Sequence, residues 1–416
     1  MDTPLIQRRK RNILILGVAL SFLTSMSKVL VPGTIFDQLQ MELGLDARYV
    51  SMFGSYYMYS YALSQLCIGL YANRLGGVRI LLLGVSCFCA GTLGFACLSW
   101  YPAMAFCRLL CGFGAGIVFI GQTCLLIDLY AGKFTLIFSL IMTIGYLGPV
   151  FGTMPMVALV EALGWRRAMA VPGLIAFALL VGFLCFVRGT LTHELKAENP
   201  WTPLGNIVRK PAMHFLCFAS ALVYGAYYIL PMQIGQKSLS DVFGLSPKMS
   251  SSCMMVLCIV VVINTVAVNL YLKLLGGRRK ATAGMGIALA FAGSLLGYAG
   301  FCWKLGVIPQ EIAYLLICMP VGFFALFCTI AKELNRPEDT ALACAILNSL
   351  AFVFIALFQN VAGSILKAHQ SLATLTPSGY LFPSGAYASI FLFLSVALGL
   401  SLLFIVFVPE TRPRAS

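Results

Sequence analysis

Across 416 residues the chain is 60% hydrophobic and 10% charged, with 28 Lys and Arg against 14 Asp and Glu and a formal net charge of +14. That balance excludes a soluble globular protein, and the basic excess does not mark a nucleic-acid partner: the charges fall between apolar runs, where they orient spans and meet anionic lipid headgroups. Fifteen cysteines lie almost entirely inside the apolar runs with no Cys-x-x-Cys pair, so they read as small apolar fillers, and neither a metal site nor a cofactor is expected.

Arg8-Arg9-Lys10-Arg11 precedes an apolar stretch that runs to about Ile35. A cleaved signal has a shorter apolar region, so this is read as a retained first span. Twelve stretches carry about the 20 apolar residues that a transmembrane helix needs. In the first half they are 13–35, 50–72, 80–98, 102–126, 134–160 and 168–187; in the second, 212–233, 249–272, 281–302, 312–330, 340–366 and 385–408. The expected fold is an all-α integral membrane protein of two pseudo-symmetric six-helix bundles, 1–188 and 211–416. Residues 189–210, with Pro200 and Pro203, form a cytoplasmic linker holding at most a short interfacial helix.

An even span count and a basic N-terminus put both termini in the cytoplasm. Nineteen Lys and Arg then fall on that side and seven on the other, Lys237 among the seven, as the positive-inside bias requires. Short loops and the lack of an Asn-x-Ser/Thr sequon fit a bacterial inner membrane.

The run Gly69-Leu70-Tyr71-Ala72-Asn73-Arg74-Leu75-Gly76-Gly77-Val78-Arg79 is a tight basic turn between two spans. Glycines there allow backbone angles that other residues resist. A second copy, Leu275-Gly276-Gly277-Arg278-Arg279-Lys280, follows 200 residues later, so the chain reads as duplicated. The fourth span holds Arg108, Gly112, Gly114 and Gly116, whose glycines let a neighbouring helix approach closely. In the fifth, Gly145, Tyr146, Gly148, Pro149 and Gly152 predict a bend. After it, Gly164-Trp165-Arg166 places a Trp at the membrane interface.

Together these stretches resemble the major facilitator superfamily of secondary transporters over nearly the whole chain. The first turn is similar to the family's loop signature at Gly69, Asn73, Arg74, Gly76 and Arg79, with Asn73 where Asp is commoner and Gly77 where a basic residue is usual. Arg108 with Gly112 and Gly114, Gly145 to Gly152, and Gly164-Trp165-Arg166 resemble three further family signatures. The resemblance implies a transporter rather than an enzyme, in which two bundles rock about a central cavity and spans 1, 4, 7 and 10 line it. The basic turns, with Gly148, Pro149, Gly276, Gly277 and Arg278, are then conformational elements.

An ionisable side chain inside a span costs roughly 2.5–3.5 kcal/mol on insertion scales, so it marks a functional candidate. Lys28 and Arg108 are the two found, both in spans that the resemblance turns toward the cavity. They point to an anionic organic solute, because Arg offers a planar fork for carboxylate or phosphate and Lys a movable point charge. The structural alternatives are that Arg108 ties the fourth span to first-span carbonyls and that Lys28 snorkels outward. No Asp or Glu falls clearly inside a span; Asp128 and Glu311 sit at span ends. A buried proton carrier is therefore not expected, and exchange or facilitated diffusion gains weight.

Neutral polar candidates are Gln65 in span 2, Tyr146 in span 5, and Tyr224, Tyr227, Tyr228 and Gln233 in span 7. Asn264 in span 8 and Asn348 and Gln359 in span 11 complete the set, each with interhelical bonding as its plainer reading. Transport of a small, anionic solute by a monomer in the lipid bilayer is the leading expectation. An exporter of amphipathic compounds, or a non-transporting membrane receptor of the same fold, are the rivals.

Overall fold

A computed structural model describes residues 4–75, 77–130, 134–187, 201–336, 339–377 and 379–411; within these, the side chains of 4–7, 9, 69–75, 127–129, 134–136, 138–140, 142–143, 201–204 and 341 are not described. Gly76 and the side chains of Asn73, Arg74 and Asp128 therefore lie outside the described residues. The chain divides into two compact units, Met1–Val31 with Tyr56–Glu198, and Pro32–Ser55 with Asn199–Ser416.

Ten helices among the described residues are long and apolar enough to cross a membrane, and one bent pair would be an eleventh. Helix α3 (Ala47–Leu75) occupies the place of the remaining expected span. Its many Tyr and Ser side chains lower its hydropathy, and Tyr57, Tyr61, Ser51, Ser55 and Ser64 are all buried in protein.

The first unit holds α1 (Pro4–Val29), the greater part of α3, α4 (Gly77–Cys97), α5 (Tyr101–Tyr130), α6 (Phe134–Phe151), α7 (Met154–Leu163) and α8 (Trp165–Val187). Glycine sets the spacing around α5. A Cβ on Gly112 would lie 2.1 Å from the Tyr57 carbonyl oxygen, one on Gly116 2.0 Å from Ser64 Oγ, and one on Gly114 2.4 Å from the Phe88 nitrogen. The α5 backbone thus rests directly on α3 by one face and on α4 by another, as the glycine spacing predicts. Gly77 departs from expectation. It is buried as the first residue of α4, and its missing side chain clears Cys124 of α5, 2.9 Å from where a Cβ would stand, so close approach rather than a left-handed turn explains it.

The expected fifth-span bend is present, with 45° between Ile144–Phe151 and Met154–Leu163. The break falls at Gly152–Thr153, one turn after Pro149. Gly148 and Gly152 hold α6 against α1, where added Cβ atoms would lie 2.4 Å from the Phe22 carbonyl oxygen and from Val29 Cγ2. Trp165, the first residue of α8, is buried edge-on to Phe95, with the Arg166 guanidinium 4.5 Å over its ring. Arg166 donates to the carbonyls of Ala96 (3.2 Å) and Leu98 (2.7 Å) and to Ser99 Oγ (3.0 Å). A cation thus caps the C-terminal carbonyls of α4, where the helix dipole favours it. Arg166→Gln is expected to lower stability by about 1–2 kcal/mol, read as a fall in the thermal unfolding midpoint; an unchanged midpoint would show the cap to be idle.

The second unit contains α2 (Phe36–Leu43), the start of α3, α9 (Trp201–Val208), α10 (Pro211–Ile229), α11 (Gly235–Phe243), α12 (Pro247–Leu274) and α13 (Arg279–Trp303). It continues with α14 (Val307–Cys318), α15 (Phe324–Leu334), α16 (Thr340–Ala368), the two-stranded ribbon β1 (Thr374–Thr376) and β2 (Gly379–Leu381), and α17 (Ser384–Val406). The ribbon, antiparallel with Leu375 opposite Tyr380, has no counterpart among the expected elements.

Local geometry bears out the duplication. A wide-turn break at Leu30–Thr34 recurs at Leu230–Ile234, and left-handed Gly44 (φ 62°) recurs as Gly244 (φ 70°). The next helix is N-capped by Asp46, which accepts from the Tyr49 amide at 3.0 Å, and in the repeat by Ser246, which accepts from Met249 at 3.3 Å. In the second basic turn Gly276 and Gly277 do adopt left-handed angles, φ 62° and 73°. Glu410 then accepts from the Lys280 and Ala281 amides at the start of α13.

Asp46 also pairs with Lys367 at 2.7 Å. Partial burial alone would raise its pKa, but the Lys367 ammonium and the Tyr49 amide outweigh that and hold the carboxyl below its ordinary 3.8. A depressed folded-state value stabilises above the ordinary pKa and is lost as pH falls through the lowered one. Asp46→Asn should therefore flatten the loss of stability below about pH 4, by at most ~1 kcal/mol because the pair is partly exposed. An acid limb identical to that of the parent would contradict it.

Two helix bounds differ from expectation near charged residues. The seventh span does not end at 233: helix resumes after the break and runs to Phe243, so Lys237 and Asp241 lie within one helical passage, Pro211–Phe243. The tenth passage begins at Val307, placing Glu311 more than one turn inside it.

Candidate functional site

In the first unit, α1, α3 and α5 bring both predicted cations to one aromatic ladder. Tyr57 and Tyr61, one helical turn apart on α3, stack with ring centroids 6.3 Å apart. Lys28 Nζ lies 4.6 Å from the Tyr61 centroid, and the Arg108 guanidinium 4.7 Å from that of Tyr57 and 5.7 Å from that of Phe95. The order is cation, ring, ring, cation. Each ring face carries partial negative charge, which attracts its cation. The Tyr57 hydroxyl donates to the Thr24 carbonyl at 3.1 Å, which fixes the ladder to α1.

The two cations are not equivalent. Arg108 is 3% exposed, enclosed by Tyr57 and Phe95 beside a small void lined by Ser27, Thr92 and Met169. Lys28 is half-buried. Its ammonium stands on a flexible stem, whereas the guanidinium is enclosed by two rings.

Other predicted residues extend the same surface. Gln65, buried, sits one turn beyond Tyr61 on α3, and Tyr146 is half-buried on α6 of the same unit. Two polar residues that sequence reasoning passed over belong here. Ser21 donates to Gln122 at 2.6 Å, and the Gln122 amide donates to the Gly17 carbonyl at 2.9 Å, tying α1 to α5. A glutamine deep in the fourth span was the available signal for this pair.

Predicted residues in the second unit fall in separate places. Tyr224, Tyr227 and Tyr228 cluster on α10: Tyr227 and Tyr228 meet edge-on at 4.8 Å, and the Tyr224 hydroxyl donates to the Val321 carbonyl at 2.9 Å. Gln233 donates to Ser51 Oγ at 2.6 Å, and the Gln359 amide lies 3.5 Å from Met232 Sδ. Asn264 bridges Met319 and the Tyr271 hydroxyl, both at 3.3 Å, and Asn348 is half-buried on α16. Arg79 and Arg278 are the described basic residues of the two turns that belong to the predicted set; Arg79 is exposed.

The chain matches a family model described as Major Facilitator Superfamily over residues 13–359. No curated protein sequence matches it. Among solved structures, it is similar to an auto inhibited POT family peptide transporter (12% identity, TM-score 0.75, covering 98% of this chain and 99% of that one). It is similar also to the nucleoside transporter NupG (14%, 0.73, 96% and 98%) and to a D-xylose-proton symporter (14%, 0.71, 96% and 98%). At such identity these likenesses speak for the fold alone.

Proposed function

Because the chain belongs to the Major Facilitator Superfamily, a family of membrane transporters rather than enzymes, we propose that it carries a small organic anion across the membrane by alternating access, with Lys28 receiving the anion's charged group. The observation that carries this reading is the ladder: a half-buried intramembrane ammonium lies 4.6 Å over the Tyr61 ring, on the same aromatic pair that meets Arg108, so two cations converge on one place in the first unit. Arg108, enclosed by two rings, keeps the site positive and fixes Tyr57. Gln65 and Tyr146 of the same unit supply polar groups for the solute. Gly69, Asn73, Arg74, Gly76 and Arg79, with Gly276, Gly277 and Arg278, serve as conformational elements, and the Gly148-Pro149 bend as another.

The named solved neighbours handle nucleosides, D-xylose and peptides, so shared architecture leaves the solute open. Local chemistry has to select it. Flux into liposomes containing the purified protein, measured for mono- and dicarboxylates, organic phosphates, neutral sugars and amines, tests the reading. Transport confined to anions is the expected result; transport of amines or neutral solutes alone would overturn it.

A further inference from the structure

Within the second unit, the break at Leu230–Ile234, the start of α3 and the later half of α16 pack together around buried polar side chains. Gln233, Gln359, Ser51 and Ser55 are each at most 1% exposed. Their protons are already engaged. Gln233 Nε2 donates to Ser51 Oγ at 2.6 Å, and Ser51 donates in turn to the Ala47 carbonyl at 2.6 Å. Ser55 has one proton for two acceptors on α16, the Ala356 carbonyl at 3.0 Å and Asn360 Oδ1 at 2.8 Å. Gln359 Nε2 points to Met232 Sδ at 3.5 Å. Among the described residues, the Oε1 atoms of Gln233 and Gln359 are both buried and accept no hydrogen bond. Oxygens therefore outnumber protons here, and a buried acceptor left in that condition is costly and calls for an explanation.

The geometry points to a binding site for an alkali-metal cation, held by the side-chain oxygens of Gln233 and Gln359 with the Ser51 and Ser55 hydroxyls beside them. An anion would need donors, which this place lacks, and a divalent ion would call for carboxylates among its ligands; neutral amide and hydroxyl oxygens suit a hard monovalent cation. The Gln359 amide is held for the task. A Cβ on Gly54 would stand 2.8 Å from both its Oε1 and its Nε2, so the bare α3 main chain presses on the amide and keeps it from swinging away. The charge nearby has the right sign. Lys237, one turn beyond Gln233, donates to Asp37 Oδ1 at 2.6 Å and to Asp241 Oδ1 at 3.2 Å, and two carboxylates on one ammonium sum to a formal charge of minus one. The site lies wholly in the second unit and does not depend on the charge of the solute.

Ion binding to the purified full chain in lipid nanodiscs tests this without any solute, so its outcome is separate from that of the anion flux assay. Replacing choline chloride by sodium or potassium chloride at constant ionic strength is expected to raise the unfolding midpoint by about 2–4 °C for at least one of the two metals. Gln359→Leu and Gln233→Leu should each abolish that shift. Gln359→Glu keeps the shape of the side chain and adds a negative charge, so it should tighten binding of radiolabelled sodium by about fivefold or more. A side chain that only bonds helices together, or only holds a water molecule, would not respond in that direction. A parent protein with the same midpoint in all three salts would overturn the proposal. So would a salt-specific shift that survives in both leucine variants, which would place the ion elsewhere, or a Gln359→Glu protein that binds sodium no more tightly than the parent.

Discussion

Lys28→Gln is expected to abolish most uptake of an anionic solute while leaving any transport of a neutral one nearly intact. The ammonium is half-buried at the end of the aromatic ladder, so the anion it meets is largely desolvated there. Removing one side of such a charge-assisted contact costs roughly 2–3 kcal/mol, a factor of about 30–150 in apparent affinity. Gln keeps the length and hydrogen-bonding capacity of the side chain but not its charge. Lys28→Arg should retain part of the activity, since a guanidinium also sits well on Tyr61. Equal losses for anionic and neutral solutes would mean that Lys28 holds the helices together instead. Competition assays with both solute classes on the same proteoliposomes decide between these.

Gly112→Val carries the largest expected effect on the fold. Even a methyl group at 112 would meet the Tyr57 carbonyl oxygen at 2.1 Å and Ser60 Oγ at 2.3 Å, so α5 would have to move away from α3. Overpacking of this kind costs typically 1–3 kcal/mol for one added group, and more for a branched side chain against backbone. The displacement would also draw Arg108, one turn earlier on α5, off the Tyr57 ring. Gly112→Ala should lower the unfolding midpoint by several degrees and Gly112→Val should prevent recovery of folded protein. Gly385→Ala, where an added Cβ meets nothing within 4 Å, should stay within about 0.5 kcal/mol of the parent. A stable Gly112→Val protein would contradict the observed α3–α5 contact.

The parts of this architecture written in apolar runs and glycine spacing were legible from the chain. The spans, the close contacts of Gly112, Gly114 and Gly116, the fifth-span bend and the turn at Gly276–Gly277 all follow from local chemistry, and the structure repeats them. Lys28 and Arg108 could be read as candidates because a charge in lipid stands out by itself. Their aromatic partners could not. Tyr57, Tyr61 and Gln65 share a spacing of four, but span 2 also holds Tyr56 and Tyr59, and only the packing of α1 and α5 against α3 selects the ladder face.

Sequence reasoning places Lys237 outside span 7 because Gln236, Lys237, Ser238, Ser240 and Asp241 look like solvated chain. Ion pairing and burial within the second unit carry the helix through that polar stretch, a tertiary effect no local pattern reports. The opposite charges at 37 and 237 were visible in the repeat, and only the structure shows them in contact.

Structure determination of the protein with a transported anion bound addresses the central claim most directly. The ladder predicts the anion's charged group within about 3 Å of Lys28 Nζ, with Tyr61 beneath it. An anion seated on the second unit, with Lys28 untouched and still resting on Tyr61, would contradict it.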